Sequence, residues 1–161
     1  MNSANKSKLD HDYFMGLALL EARKGYLHKE VPVGAIIIDA AGTVLGKACN
    51  APISTHDPTA HAEILALRQA ATALKNYRLP GTTVYATLEP CAMCLGAMLQ
   101  ARVEKLVFGA ADMKSGAAKS VVDLTSVPGF NHYIEVIDGV RGAECAELLR
   151  LFFRERRAGN R

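Results

Sequence analysis

Thr82-Thr83-Val84-Tyr85-Ala86-Thr87-Leu88-Glu89-Pro90-Cys91-Ala92-Met93-Cys94 is the stretch on which the fold turns. Its first seven residues are an apolar run rich in β-formers, which predicts a strand over 82–88. Pro90 suits the opening turn of a helix, and the sequence continues helical from Cys91 to about Ala101. A strand feeding a helix is the building unit of an α/β domain.

The flanking sequence alternates in the same way. Upstream, Asp10 can cap a helix running to about Lys24, with Phe14, Leu17, Ala18 and Ala22 on one side and Gly25 at its end. Val33 to Asp39 is continuously apolar, as in a strand covered on both faces. Ala40-Ala41-Gly42 is a turn and Thr43 to Ala48 a second strand; so short a link makes an antiparallel hairpin. Asn50 to His56 reads as a polar loop. Asp57-Pro58-Thr59 supplies capping side chains for a helix that buries Ile64, Leu67, Ala71 and Leu74.

Downstream, Lys105 to Phe108 is a short strand ended by Gly109, and 110–118 is a loop. A short helix is expected over Ser120–Leu124 and a last strand over Tyr133–Ile137. From 144 to 158 an amphipathic basic helix places Cys145, Leu148, Leu149, Phe152 and Phe153 on one face. The sum is a three-layer α/β domain with a mixed sheet of about five strands.

Bulk properties narrow the class. The chain has 161 residues, half of them apolar and 22% charged. That predicts one soluble globular domain over 1–161, with 1–8 as a polar leader. Four cysteines in a chain this long exclude a disulfide scaffold. No run approaches the ~18 apolar residues of a membrane helix, and no signal peptide opens the sequence, so a cytoplasmic location is expected. Net charge is +3. The basic end Phe152-Phe153-Arg154-Glu155-Arg156-Arg157 reads on charge alone as a solvated helix terminus.

The chemistry lies in Pro58-Thr59-Ala60-His61-Ala62-Glu63 and Pro90-Cys91-Ala92-Met93-Cys94. Cys91 and Cys94 are neighbours on a helix surface, in a first turn whose partial positive charge favours thiolate. His61 offers a nitrogen from the opening of another helix. Three protein donors match a catalytic zinc, which keeps its fourth position for water, whereas structural zinc is normally closed by four. Glu63 then has a role as proton carrier for the displacement of an amine. Taken singly these signals are weak, since Cys-x-x-Cys also serves redox dithiols and structural pairs. Cys49 is the one rival for a fourth ligand that would close the site; otherwise Cys49 and Cys145 fit small buried positions. His56 is at most a substrate contact. His11 and His28 read as surface residues, and His132 as a local hydrogen-bonding residue.

The pattern His-x-Glu…Pro-Cys-x-x-Cys is a signature of zinc-dependent nucleoside and nucleobase deaminases, in which the Glu is not a ligand. The chain resembles the bacterial tRNA-specific adenosine deaminases over nearly its whole length. The resemblance rests on Glu30-Val31-Pro32-Val33-Gly34-Ala35, Asp57 to Glu63, Thr87 to Cys94, Gly109-Ala110-Ala111-Asp112-Met113-Lys114-Ser115-Gly116-Ala117, and the closing Phe152-Phe153-Arg154. It implies a cytidine-deaminase-like α/β/α sandwich, one zinc per subunit on His61, Cys91 and Cys94, and Glu63 as proton shuttle. It further implies deamination of adenosine to inosine at the wobble position of tRNA, typically an arginine tRNA. Asn50 matches a contact to the target nucleoside. Asp112 and Lys114 fall in a loop near the anticodon, and Phe153 and Arg154 on a helix that meets RNA. The partners implied are a tRNA anticodon stem-loop and a second copy of the chain in a homodimer, with no membrane. The alternative on the same scaffold is a free nucleobase or nucleotide deaminase of the cytosine or guanine type.

Overall fold

A computed structural model describes residues 9–160; the polar leader at 1–8 lies outside the described residues. Among these, five strands form one sheet: β1 (Gly34–Ile38), β2 (Val44–Cys49), β3 (Thr83–Leu88), β4 (Lys105–Ala110) and β5 (Glu135–Ile137). Their spatial order is β2-β1-β3-β4-β5. β1 runs antiparallel to β2 and β3, whereas β3, β4 and β5 are parallel. The helices are α1 (His11–Leu27), α2 (Pro52–Thr55), α3 (Ala62–Leu74), α4 (Ala92–Gln100) and α5 (Gly142–Gly159).

Strand periodicity sorts the core into two halves. Ile36, Ile38, Tyr85 and Val107 face Phe14, Met15 and Leu19 of α1 and Cys145 of α5. Their neighbours Ala35, Ile37, Val84, Ala86, Leu106 and Phe108 face Ala66, Leu67 and Ala70 of α3 and Leu95 and Met98 of α4. The mixed five-stranded sheet is thus covered on both sides, as an α/β/α sandwich requires. No helix among the described residues is long and apolar enough to cross a membrane.

Several boundaries depart from the expectation. α1 runs through Gly25, which is there because an added Cβ would meet the Cys49 side chain at 3.3 Å. The chain turns instead at Lys29, in the left-handed region. The polar loop contains α2, whose Ser54 N–H donates 2.7 Å to the carboxylate of buried Glu30. Asp57 does not cap α3; it closes its own turn by accepting from the N–H and hydroxyl of Thr59. Leu67 is buried on α3 as expected, with Ile64 and Ala71 partly buried, but the face against the sheet is mostly Ala62, Ala66 and Ala70, and Leu74 is exposed. Small residues win there because α3 lies close on β2: a Cβ at Gly46 would stand 2.3 Å from the Ala66 carbonyl oxygen.

Gly109 does not end β4 but lies within it, leaving room for the Cys145 sulfur. Ser120–Leu124 is not a helix. The N–H groups of Val121 and Val122 both donate to the Gly116 carbonyl, and Leu124 returns to Ala117. β5 is shorter than expected, and α5 begins two residues before Glu144. His11 is half-buried with Nδ1 2.8 Å from the Tyr85 hydroxyl, so it is not a plain surface residue. The bond of His132 is long-range, to the carbonyl of Val103 at 2.6 Å.

Candidate metal centre and a basic groove

His61 and Cys91 occupy equivalent places in their helices. Each is the N-cap, of α3 and α4 respectively, in extended conformation, and neither side chain caps its own helix. Residues at these positions normally spend their side chains on the first free N–H groups. Here both side chains point instead toward a common point. Cys94 joins them from the first turn of α4, so three donor atoms lie within 4.8 Å of one another.

The distances fit a tetrahedral ion. His61 Nδ1 is 3.6 Å from the Sγ of Cys91 and 3.6 Å from the Sγ of Cys94. A zinc ion with ordinary Zn–S and Zn–N bonds at tetrahedral angles spaces nitrogen and sulfur by about 3.6 Å. His61, Cys91 and Cys94 are therefore positioned to hold one zinc ion. Cys49 does not belong to the group; its side chain lies against Gly25 of α1, and burial raises its pKa. Cys145 is buried under β4, its thiol pushed up to about 11 by burial.

The electrostatics ask for a cation. Hydrogen bonds from Cys94 and then His61 hold the Cys91 thiol down at about 4, and the bond to Cys91 in turn raises the His61 imidazole. The lowered thiol favours the thiolate form, which is the form that ligates a metal ion. Cys94 is shifted the other way, by the nearby Cys91 thiolate, burial and Glu63. A cation among the three relieves that repulsion.

Glu63 is buried, with 3% of its surface exposed, and its Oε2 accepts from the Cys94 thiol at 3.0 Å. Burial lifts its carboxyl above the ordinary range. A carboxyl so placed can hold a proton and return it.

Asn50 supplies what the N-cap of α3 does not. It follows β2 directly, is buried, and its Oδ1 accepts from the Ala62 N–H at 2.8 Å. It thus caps α3 from outside the helix and fixes the turn that carries His61 and Glu63. This second duty had no signal in the sequence, because its partner is twelve residues away.

The remaining sequence-predicted residues gather elsewhere. Lys114, Phe153 and Arg154 line one open groove of about 480 Å³ with Leu149, Arg150 and Arg157. Phe153 does not share the buried face of α5; it is exposed at 41% and packs edge-on against buried Phe152. Asp112 is not in the groove lining. Its Oδ1 accepts from the N–H groups of Lys114 and Ser115, which shapes the turn that presents Lys114. His56 is exposed and ends α2 in left-handed conformation. Sequence reasoning missed Glu89, a buried carboxylate one residue before Pro90 that holds the 112–120 loop. An acid between a buried strand and a helix-opening proline was the available hint.

Comparison with known proteins agrees with this geometry. Residues 8–110 match the family described as the cytidine and deoxycytidylate deaminase zinc-binding region. The chain is 45% identical over 152 residues to the tRNA-specific adenosine deaminase of Haemophilus influenzae, covering 94% of this chain and 87% of that one. It is also 45% identical to the corresponding enzyme of Agrobacterium fabrum, covering 92% and 97%. A solved structure from work on A-to-I editing by tRNA:A34 deaminases at the wobble position superposes with a TM-score of 0.81 at 43% identity, covering 84% of this chain and 98% of that one.

Proposed function

The chain belongs to the cytidine and deoxycytidylate deaminase zinc-binding family, and from that premise we propose that it hydrolyses adenosine to inosine at the wobble position of tRNA. The observation that carries this reading is the buried Glu63 carboxyl beside a three-donor metal centre, in a chain so close to tRNA-specific adenosine deaminases. Bound at His61, Cys91 and Cys94, zinc supplies the Lewis acidity that makes water a nucleophile near neutral pH.

The chain's own residues handle the protons. Glu63 takes the first from the attacking water and gives it to the ring nitrogen beside the amino-bearing carbon. It takes the second from the new hydroxyl and gives it to the departing nitrogen. One water is consumed, ammonia leaves, and the ring keeps a carbonyl. Asn50 holds the α3 turn in place and, with its amide nitrogen, contacts the target nucleoside.

The groove of Lys114, Phe153 and Arg154 is the RNA-binding surface in this reading. Lysine and arginine meet phosphates, and an exposed aromatic offers a stacking face for an unpaired base. A base already unstacked in an anticodon loop costs little to extract. Asp112 sets the turn of that loop. An arginine tRNA is the proposed substrate, the proposed assembly is a homodimer, and the proposed location is the cytoplasm.

The test is incubation of the zinc-loaded protein with an anticodon stem-loop carrying adenosine at the wobble position, and separately with free adenosine, cytosine and guanine. Inosine at the wobble position of the stem-loop is the expected product. Turnover of only the free compounds would overturn the tRNA reading in favour of a free nucleobase or nucleotide deaminase.

A further inference from the structure

The metal centre and the basic groove are built by different elements, and one buried side chain joins them. Glu89 stands between β3 and Pro90 with 2% of its surface exposed. Its Oε2 accepts from the Asp112 N–H at 2.9 Å, its Oε1 accepts from the Ser120 N–H at 2.8 Å, and the Ser120 hydroxyl donates to the same carboxylate. Both ends of the 112–120 loop are therefore tied to one carboxylate. The space for it comes from Gly116, where a Cβ would stand 2.3 Å from Glu89 Oε2.

The same loop is tied to the cysteine segment from its other side. The Ala117 N–H donates to the Pro90 carbonyl at 2.8 Å, and Gly116 forms an antiparallel bridge with Cys91. Lys114 is the loop residue that reaches the groove on α5. A buried carboxylate is costly unless its lone pairs are filled. Here backbone N–H groups and one hydroxyl fill them, and the return is a fixed loop. A glutamine would turn an NH2 toward these donors and lose acceptor capacity.

We propose that Glu89 is a positioning residue that clamps the 112–120 loop so that the RNA groove holds its register on the metal centre. The inference rests on the tRNA reading above. The hydrogen bonds of Glu89 go to Asp112 and Ser120, neither of which is a metal donor or a groove-lining residue, so its loss acts through the loop. The RNA-competent loop then becomes one conformer among several, and apparent affinity falls by the fraction that remains competent.

The experiment measures kcat and KM on the wobble-adenosine stem-loop, with zinc content and Tm, for the zinc-loaded wild type, Glu89→Gln and Ser120→Ala. Glu89→Gln is expected to raise KM about tenfold, the size of one charge-assisted hydrogen bond, with kcat within about threefold and one zinc per chain retained. Ser120→Ala, which deletes only a hydroxyl, is expected to raise KM by a smaller factor of about three. Should Glu89→Gln fail to fold, Ser120→Ala decides alone. An unchanged KM, or a fall in kcat and zinc content with KM constant, overturns the clamp and makes Glu89 a support of the fold only. A wild type that leaves the stem-loop untouched defeats the tRNA reading instead, so the two failures are distinct.

Discussion

Replacing Glu63 by glutamine separates catalysis from stability with opposite signs. Glu63 is 3% exposed and contacts Cys94 at 3.0 Å. Glutamine has the same number of heavy atoms, so Glu63→Gln opens no cavity. What it removes is the site that carries a proton from water to base. General acid–base catalysis is worth about 10²–10⁴ in rate, or about 3–5 kcal/mol of barrier. Burial raises the Glu63 carboxyl, so the native side chain sits at a desolvation cost that a neutral amide does not bear. Glu63→Gln should therefore lose at least about a hundredfold in rate while its Tm stays equal or rises. Zinc content should stay at one per chain, because Glu63 is outside the three-donor group. Single-turnover deamination of the stem-loop, metal analysis and thermal melting check the three parts. A rate within threefold of wild type would refute the proton-carrier role, and loss of zinc would refute the placement of Glu63 outside the metal site.

Four further outcomes follow from the geometry. Removing zinc with a strong chelator should abolish activity and lower Tm, with recovery on adding zinc back; Cys49→Ser should leave one zinc per chain by metal analysis, since Cys49 stands away from the centre. Gly46→Ala puts a methyl 2.3 Å from the Ala66 carbonyl, which should cost about 1–3 kcal/mol in urea unfolding, and zinc affinity should fall as α3 shifts. Arg154→Ala removes a cation from the groove; it should weaken stem-loop binding and make the salt dependence shallower by about 0.7 for each phosphate left without its cation.

Much of the frame is legible because its signals are local. The run Gly34-Ala35-Ile36-Ile37-Ile38 is buried throughout, as continuous apolarity requires. Pro90 marks the opening of α4 to within two residues. The departures share a cause, which is contact between residues far apart in the chain or competition within one turn. Asp57 and Thr59 have the side chains of helix caps, yet they bond to each other, and the true N-cap is a metal donor. Gly25 and Gly109 have the local signal of terminators, but tertiary contact with Cys49 and Cys145 is what asks for glycine there. Val121 and Val122 fit a short helix by pattern, yet their N–H groups share one carbonyl in a loop held by Glu89.

The sequence by itself determined the chemistry. Two thiols and an imidazole at the openings of two helices offer a zinc site with a carboxylate close by, because ligand type is a property of the side chain. Only the tertiary structure decided that they meet with donors 3.6 Å apart, that Asn50 caps α3 from another element, and that Lys114 shares a groove with Phe153 and Arg154. Those facts depend on sheet order and on hydrogen bonds between residues far apart in the chain. Such contacts are set by packing against the whole core, which no local pattern of residues encodes.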